Sequence, residues 1–180
     1  MKKNTSIAAL VIALALPVVA LAQANTDFAR RAGEREFTLG GGGAANKDFD
    51  NTLGGINFSY GQYITDSLMW SLRQGLNYSN PDVGGTQWNG STKLAFDQHF
   101  GSTASPLKPF VGVNIGGVYG DAVRDTWSAG LEAGAKYYVQ PRTFVFAMAE
   151  YGWFFRKARS LDDRFSDGQF TWNVGVGFNF

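Results

Sequence analysis

The chain has 180 residues, of which 23 are glycine, 15% are aromatic, 17% are charged and none is cysteine. That length fits one domain. The absence of sulfur ligands excludes disulfide scaffolds and thiolate metal sites, and a lone histidine, His99, excludes a multi-histidine centre, so neither metal nor cofactor is expected. With 16 basic against 15 acidic residues there is no electrostatic footprint for nucleic acid.

The first residues form a separate object. Lys2 and Lys3 precede an uncharged apolar run from Ile7 to Ala22, the pattern of a secretory signal. The run is 16 residues long, short of the roughly 20 that a spanning helix needs, and Pro17 interrupts it. Ala20-Leu21-Ala22 and Ala22-Gln23-Ala24 both fit the small-x-small cleavage rule, so residues 1–22 are expected to be removed, with 24 as the alternative cleavage point. No Cys follows for lipid attachment. Loss of Lys2 and Lys3 leaves a formal charge of minus one.

Beyond this leader, apolar residues recur with a period of two, which marks strands. In chain order the alternation predicts strands over about 34 to 43, 53 to 63, 67 to 78, 90 to 100, 108 to 120, 127 to 139, 143 to 155 and 169 to 180. Most exceed the five or six residues of a typical globular strand and meet the roughly 9 to 11 that a tilted membrane-spanning strand requires. Connections alternate as well. They are short at 64–66, 101–107 and 140–142, and mostly longer and polar at 44–52, 79–89, 121–126 and 156–168. Short turns at one end and long loops at the other mark an outer-membrane barrel.

The two faces differ in kind. One carries Ile56, Phe58, Tyr60, Leu68, Trp70, Leu72, Leu94, Phe96, Val111, Val113, Ile115 and Leu131 and is almost wholly uncharged; the other carries Arg73, Lys93, Asp97, His99, Glu132, Lys136 and Glu150 among glycines. A charge on the lipid side costs about 2–4 kcal/mol at the bilayer midplane, so this segregation places the charged face inside. Trp70, Trp127, Trp153 and Trp172, with Tyr60, Tyr78, Tyr119 and Tyr137, suit interfacial girdles. The expected fold is all-β, an eight-stranded antiparallel up-and-down transmembrane β-barrel. It spans 34–180, with 23–33 as a short periplasmic N-terminal segment.

With its leader, eight alternating segments, short turns and terminal Gly175-Val176-Gly177-Phe178-Asn179-Phe180, the chain resembles the small eight-stranded outer-membrane proteins typified by the OmpA transmembrane domain and OmpX. The resemblance implies an integral protein of the Gram-negative outer membrane, with both termini in the periplasm. It also implies an aromatic signal at Phe178 and Phe180 read by the barrel-assembly machinery. No peptidoglycan-binding domain follows the last strand, so that tethering role is not expected.

Inside, a tight turn at 140–142 sets Glu132 opposite Glu150. Buried carboxylates need cations, and Arg73, Lys93 and Lys136 point inward to supply them. Such a network resembles the one in the OmpA barrel, where it blocks the lumen and acts as a gate; here a structural core of paired charges is the favoured reading, because an eight-stranded barrel is only just wide enough for its side chains to fill it. Tyr63, Met69, Phe110, Tyr138, Phe144 and Phe146 are expected to form an apolar plug near the short turns. A bulge near Ala149 would instead turn Phe144, Phe146 and Met148 toward lipid. The inward Gly112, Gly116, Gly120, Gly130 and Gly134 suggest water-filled space under the loops.

His99 and Ser102 invite comparison with the lipid A deacylase barrel, whose His stands two residues before its Ser on the lipid face. Here the spacing is three and His99 takes the inward parity, so an Asp97–His99 pair at the inner rim is expected and no catalytic residues are assigned. Asp162, Asp163 and Asp167 form no recognisable calcium loop. The run Gly40 to Gly43 lacks the Lys-Ser/Thr of a phosphate loop and reads as a bend or flexible end of strand one. Arg156, Lys157 and Arg159, with Arg124, are placed to contact lipopolysaccharide phosphates. The expected function is structural or surface-interacting, in a monomer with a largely closed lumen. The rivals are a small-solute channel gated by the interior ions and, third, a lipid A-modifying enzyme.

Overall fold

The computed structural model describes residues 28, 30–46, 52–79, 87–120, 126–155 and 168–180. Its elements are β1 (Arg35–Asn46), β2 (Thr52–Tyr63), β3 (Leu68–Ser79), β4 (Gln87–His99), β5 (Leu107–Gly120), β6 (Thr126–Tyr138), β7 (Thr143–Phe154) and β8 (Gln169–Asn179). Each strand pairs antiparallel with its neighbours in sequence, and β1 pairs antiparallel with β8 to close the sheet. Closure removes the sheet edges, the condition for an all-strand wall to cross hydrocarbon. The leader over 1–22, with its cleavage points, lies outside the described residues.

Period-two patterning locates every strand to within three residues at either end. The largest differences fall at the long-loop ends, where β1 runs on to Asn46 and β4 starts at Gln87. The first of these corrects the reading of Gly40 to Gly43 as a bend or frayed end. All four lie inside β1 and pair with both β2 and β8. A Cβ on Gly42 would stand 2.2 Å from the Trp172 carbonyl oxygen, so the seam closes because this stretch has no side chains.

The register of β7 against β6 is unbroken from Phe144↔Tyr138 to Glu150↔Glu132. No bulge intervenes, so Phe144, Phe146 and Met148 keep the inward parity, and Phe144 is fully buried. Glu132 lies opposite Glu150, as the tight turn requires. The outward face is a belt of exposed Leu39, Ile56, Phe58, Leu72, Leu94, Phe96, Val111, Val113, Ile115, Leu131, Val174 and Val176. Among the described residues, no outward position between the rims is charged. Trp88, Tyr119, Trp127 and Trp153 stand exposed toward the long-loop rim, and Tyr60, Tyr137, Phe178 and Phe180 toward the short-turn rim.

The belt makes a depth-dependent prediction. Leu131→Arg, at the middle of β6, should destabilise the barrel folded into vesicles by about 2–4 kcal/mol, whereas Gln62→Arg near the rim should cost about 0–1 kcal/mol. Guanidinium unfolding of the two variants in phosphatidylcholine vesicles checks the difference.

Candidate functional site

The lumen is filled in layers, and the charged layer lies above the aromatic one. Arg73 on β3 is its centre. Its Nη2 lies 2.5 Å from Asp97 Oδ2 on β4 and its Nη1 2.6 Å from Glu132 Oε1 on β6, while Nε donates to Ser71 Oγ at 3.1 Å. Asn114 on β5 donates through Nδ2 to Glu132 Oε2 at 2.7 Å. Beside this set, Lys93 on β4 reaches Glu150 on β7 at 2.5 Å. The carboxylates are packed against the wall, with the Glu132 side chain at 0% exposure, while the Arg73 and Lys93 side chains keep 17% and 16%. Residual space at this height is therefore lined by the cations.

Below, toward the short turns, a second ion pair stands apart. Lys136 Nζ donates to both oxygens of Glu36, at 2.7 and 2.6 Å, and Tyr63 Oη donates to Glu36 Oε2 at 3.1 Å. Three rings enclose the ammonium, with centroids of Phe144, Tyr63 and Phe110 at 5.1, 5.6 and 5.8 Å. His99 packs between Tyr63 and Phe110, each ring centroid 5.3 Å away. Tyr63, Met69, Phe110, Tyr138 and Phe144 are all buried, forming the apolar plug, with Phe146 half-buried beside them.

The N-terminal segment then crosses the short-turn mouth. Phe28 donates its backbone N–H to Thr103 O in the β4–β5 turn and sets its ring 6.1 Å from that of Tyr138. The buried Arg30 donates to Phe100 O, Ala32 N–H to Asp66 Oδ1 in the β2–β3 turn, and Gly33 N–H to Tyr63 O. This strap ties two of the three short turns together over the plug. Burial raises the pKa of Glu34 within it.

Several of these placements differ from the sequence reading. Arg73, Lys93, Glu132 and Glu150 come together, but Lys136 does not join them. Its partner is Glu36, a residue in the charged stretch at the start of β1 that the alternation left unassigned. Asp97 does not pair with His99. It turns to Arg73, and no hydrogen bond reaches either His99 ring nitrogen among the described residues. The inward glycines do not leave open space. A Cβ on Gly112 would stand 2.1 Å from Asp97 Oδ1, on Gly130 2.6 Å from Glu150 Oε1 and on Gly134 2.5 Å from the Phe110 ring, so they make room for neighbouring side chains. Gly116 and Gly120 lie as close to the β4 backbone. His99 is buried inside while Ser102 stands in an exposed turn, so the two form no hydrolytic pair. Arg124, Arg156, Lys157 and Arg159 lie outside the described residues. Asp97 and Glu36 carried a sequence signal, since both are acidic residues at inward parity.

Among solved structures, the chain superposes on the outer membrane protein OprG from Pseudomonas aeruginosa with a TM-score of 0.65 at 12% identity, covering 86% of this chain and 99% of that one. Neisserial surface protein A gives 0.62 at 14% identity, with coverage of 82% and 96%. The N-terminal β-barrel domain of Pseudomonas aeruginosa OprF gives 0.59 at 21%, with coverage of 83% and 98%. The fold is that of the small eight-stranded outer-membrane barrels. No protein-family model and no curated protein matches the sequence. At these identities the likeness carries the fold alone.

Lys136→Met alone strands Glu36 without a cation and should cost about 3–5 kcal/mol of stability. The double variant with Glu36→Gln should recover most of that loss, because no uncompensated charge remains. Unfolding of the single and double variants in detergent micelles measures the coupling directly.

Proposed function

We propose that this protein is an integral outer-membrane barrel with a closed lumen, acting as a structural or surface-interacting component of the cell envelope. The observation that carries this reading is the stack of fillings at the short-turn half: ion-paired layer, aromatic plug and strap in series along one narrow bore. In this reading residues 1–22 are a cleaved leader, the N- and C-termini of the mature chain both lie on the periplasmic side, and Phe178 and Phe180 present the signal for the assembly machinery. Their exposed rings support it: Phe178 lies 5.8 Å from Phe37 and 5.6 Å from Phe180 on the outer surface. Arg124, Arg156, Lys157 and Arg159 are assigned to lipopolysaccharide phosphates in the outer leaflet. The barrel works as a monomer, and no reaction is assigned to it.

A gated channel is the second reading. The water-accessible flanks of Arg73 and Lys93 favour it, since those cations would line any path that opened past the paired layer.

Planar-bilayer recording separates the two. Stable insertion of the refolded protein without current, for wild type, Arg73→Ala and Glu150→Ala alike, is the expected result. Discrete openings enlarged by either substitution would move transport to first place. Incubation of the same preparation with lipopolysaccharide should release no fatty acid, and release would replace the structural reading by an enzymatic one.

A further inference from the structure

Among the described residues, the uncharged outer face carries a polar cluster that spans three strands. Gln74 on β3, Thr92 on β4 and Tyr119 on β5 all take the outward parity, and Gln74↔Thr92 and Gly90↔Tyr119 are register pairs. Gln74 Nε2 donates to Tyr119 Oη at 2.7 Å and to Gly75 O at 3.2 Å, and Thr92 Oγ1 donates to Gln74 Oε1 at 2.6 Å. Because the Thr92 hydrogen is spent on Gln74, the 3.1 Å contact between Thr92 Oγ1 and Tyr119 Oη is donated by Tyr119. Apolar neighbours bracket the triad, with Leu72 and Leu76 on either side of Gln74, Leu94 below Thr92 and Ile115 below Tyr119. It therefore sits where the apolar belt meets the aromatic long-loop rim, with Leu72, Leu94 and Ile115 on its belt side, and polar side chains at the edge of hydrocarbon tend to mark function.

Two features make this a site as well as a self-satisfied cluster. The Tyr119 ring lies flat over Gly90, where a Cβ would stand 2.3 Å from Cε2, and that lets the hydroxyl reach down to Thr92. Next to it Gly117, opposite Thr92 and Trp127 in register, has nothing within 4 Å of where its Cβ would be. A notch floored by backbone thus opens between the triad and the exposed Trp127. Every donor hydrogen of the three side chains is used internally, so what the cluster has left to offer an occupant is acceptor lone pairs on Gln74 Oε1, Thr92 Oγ1 and Tyr119 Oη. An anionic group finds no donor here. An unsubstituted alkyl chain has nothing to give these acceptors. An occupant that matches both the apolar walls and the acceptors is an alkyl chain bearing a hydroxyl.

We propose that the outward surface of β3, β4 and β5 binds a membrane lipid through a hydroxylated acyl chain, whose O–H donates to the Gln74–Thr92–Tyr119 triad. The proposal rests on the membrane-barrel reading and is independent of whether the lumen conducts.

The test uses the full barrel in phosphatidylcholine nanodiscs containing equal amounts of two synthetic phosphatidylethanolamines, one with a 3-hydroxymyristoyl chain and one with the plain myristoyl chain. Native mass spectrometry of the released barrel should show the hydroxylated lipid retained roughly twofold to tenfold over its counterpart, the value of about one net hydrogen bond. Gln74→Leu with Thr92→Val should abolish the preference, and the gentler Tyr119→Phe should reduce it, with both variants still migrating as folded barrels. Equal retention by wild type, or a preference that survives in the folded double variant, overturns the site. A wild-type dimer that the same substitutions dissolve would make a second copy the occupant and overturn it as well. Failure of wild type to insert into the bilayer at all would bring down the membrane reading together with the site.

Discussion

The cost of exposing charge to hydrocarbon governs this molecule. A strand offers side chains to two faces only, so each charged residue within the wall has to point into the bore, and in a bore this narrow a buried charge needs a partner there. From that follow the glycines of β5 and β6, which free the volume that Asp97, Glu150 and Phe110 occupy. From it also follows the split into two charged groups. Arg73 bridges two carboxylates where the bore is polar, and the Glu36–Lys136 pair is sealed among rings where it is not.

Barrel architecture was readable in the sequence because it rests on local rules: period two, tight turns, and the register that a short turn imposes on the β6–β7 hairpin. Contacts across the lumen were not. Whether Lys136 meets Glu132, Glu150 or Glu36 depends on the stagger accumulated around the whole ring, and no hairpin encodes it. Asp97 and His99 share a face two residues apart, which suggested a pair, yet the Arg73 guanidinium reaching along the neighbouring strand is the stronger partner for the carboxylate. Glycine parity misled for a related reason. An inward glycine reports a lack of side chain at its own position, and the neighbours decide whether that space stays open.

The strap over the short-turn mouth left even less trace. Phe28 to Gly33 shows no alternation, and its place is fixed by main-chain bonds to two turns that are remote in sequence. Its sealing effect complements the plug: rings fill the bore, while the strap covers the polar backbone at its rim.

Among the described residues, each ion pair that crosses the bore joins strands three places apart in a ring of eight: β3 to β6, β4 to β7, and β6 around the seam to β1. Such chords lie close to diameters. A hydrogen-bonded cylinder resists stretching along its circumference but flattens easily into an ellipse, because flattening changes curvature and breaks no bond. Chords held by opposite charges oppose that mode directly, as the spokes of a wheel hold its rim round. The buried charges thus give the barrel mechanical stiffness against the lateral pressure of the surrounding bilayer, at three bearings that one interior shares.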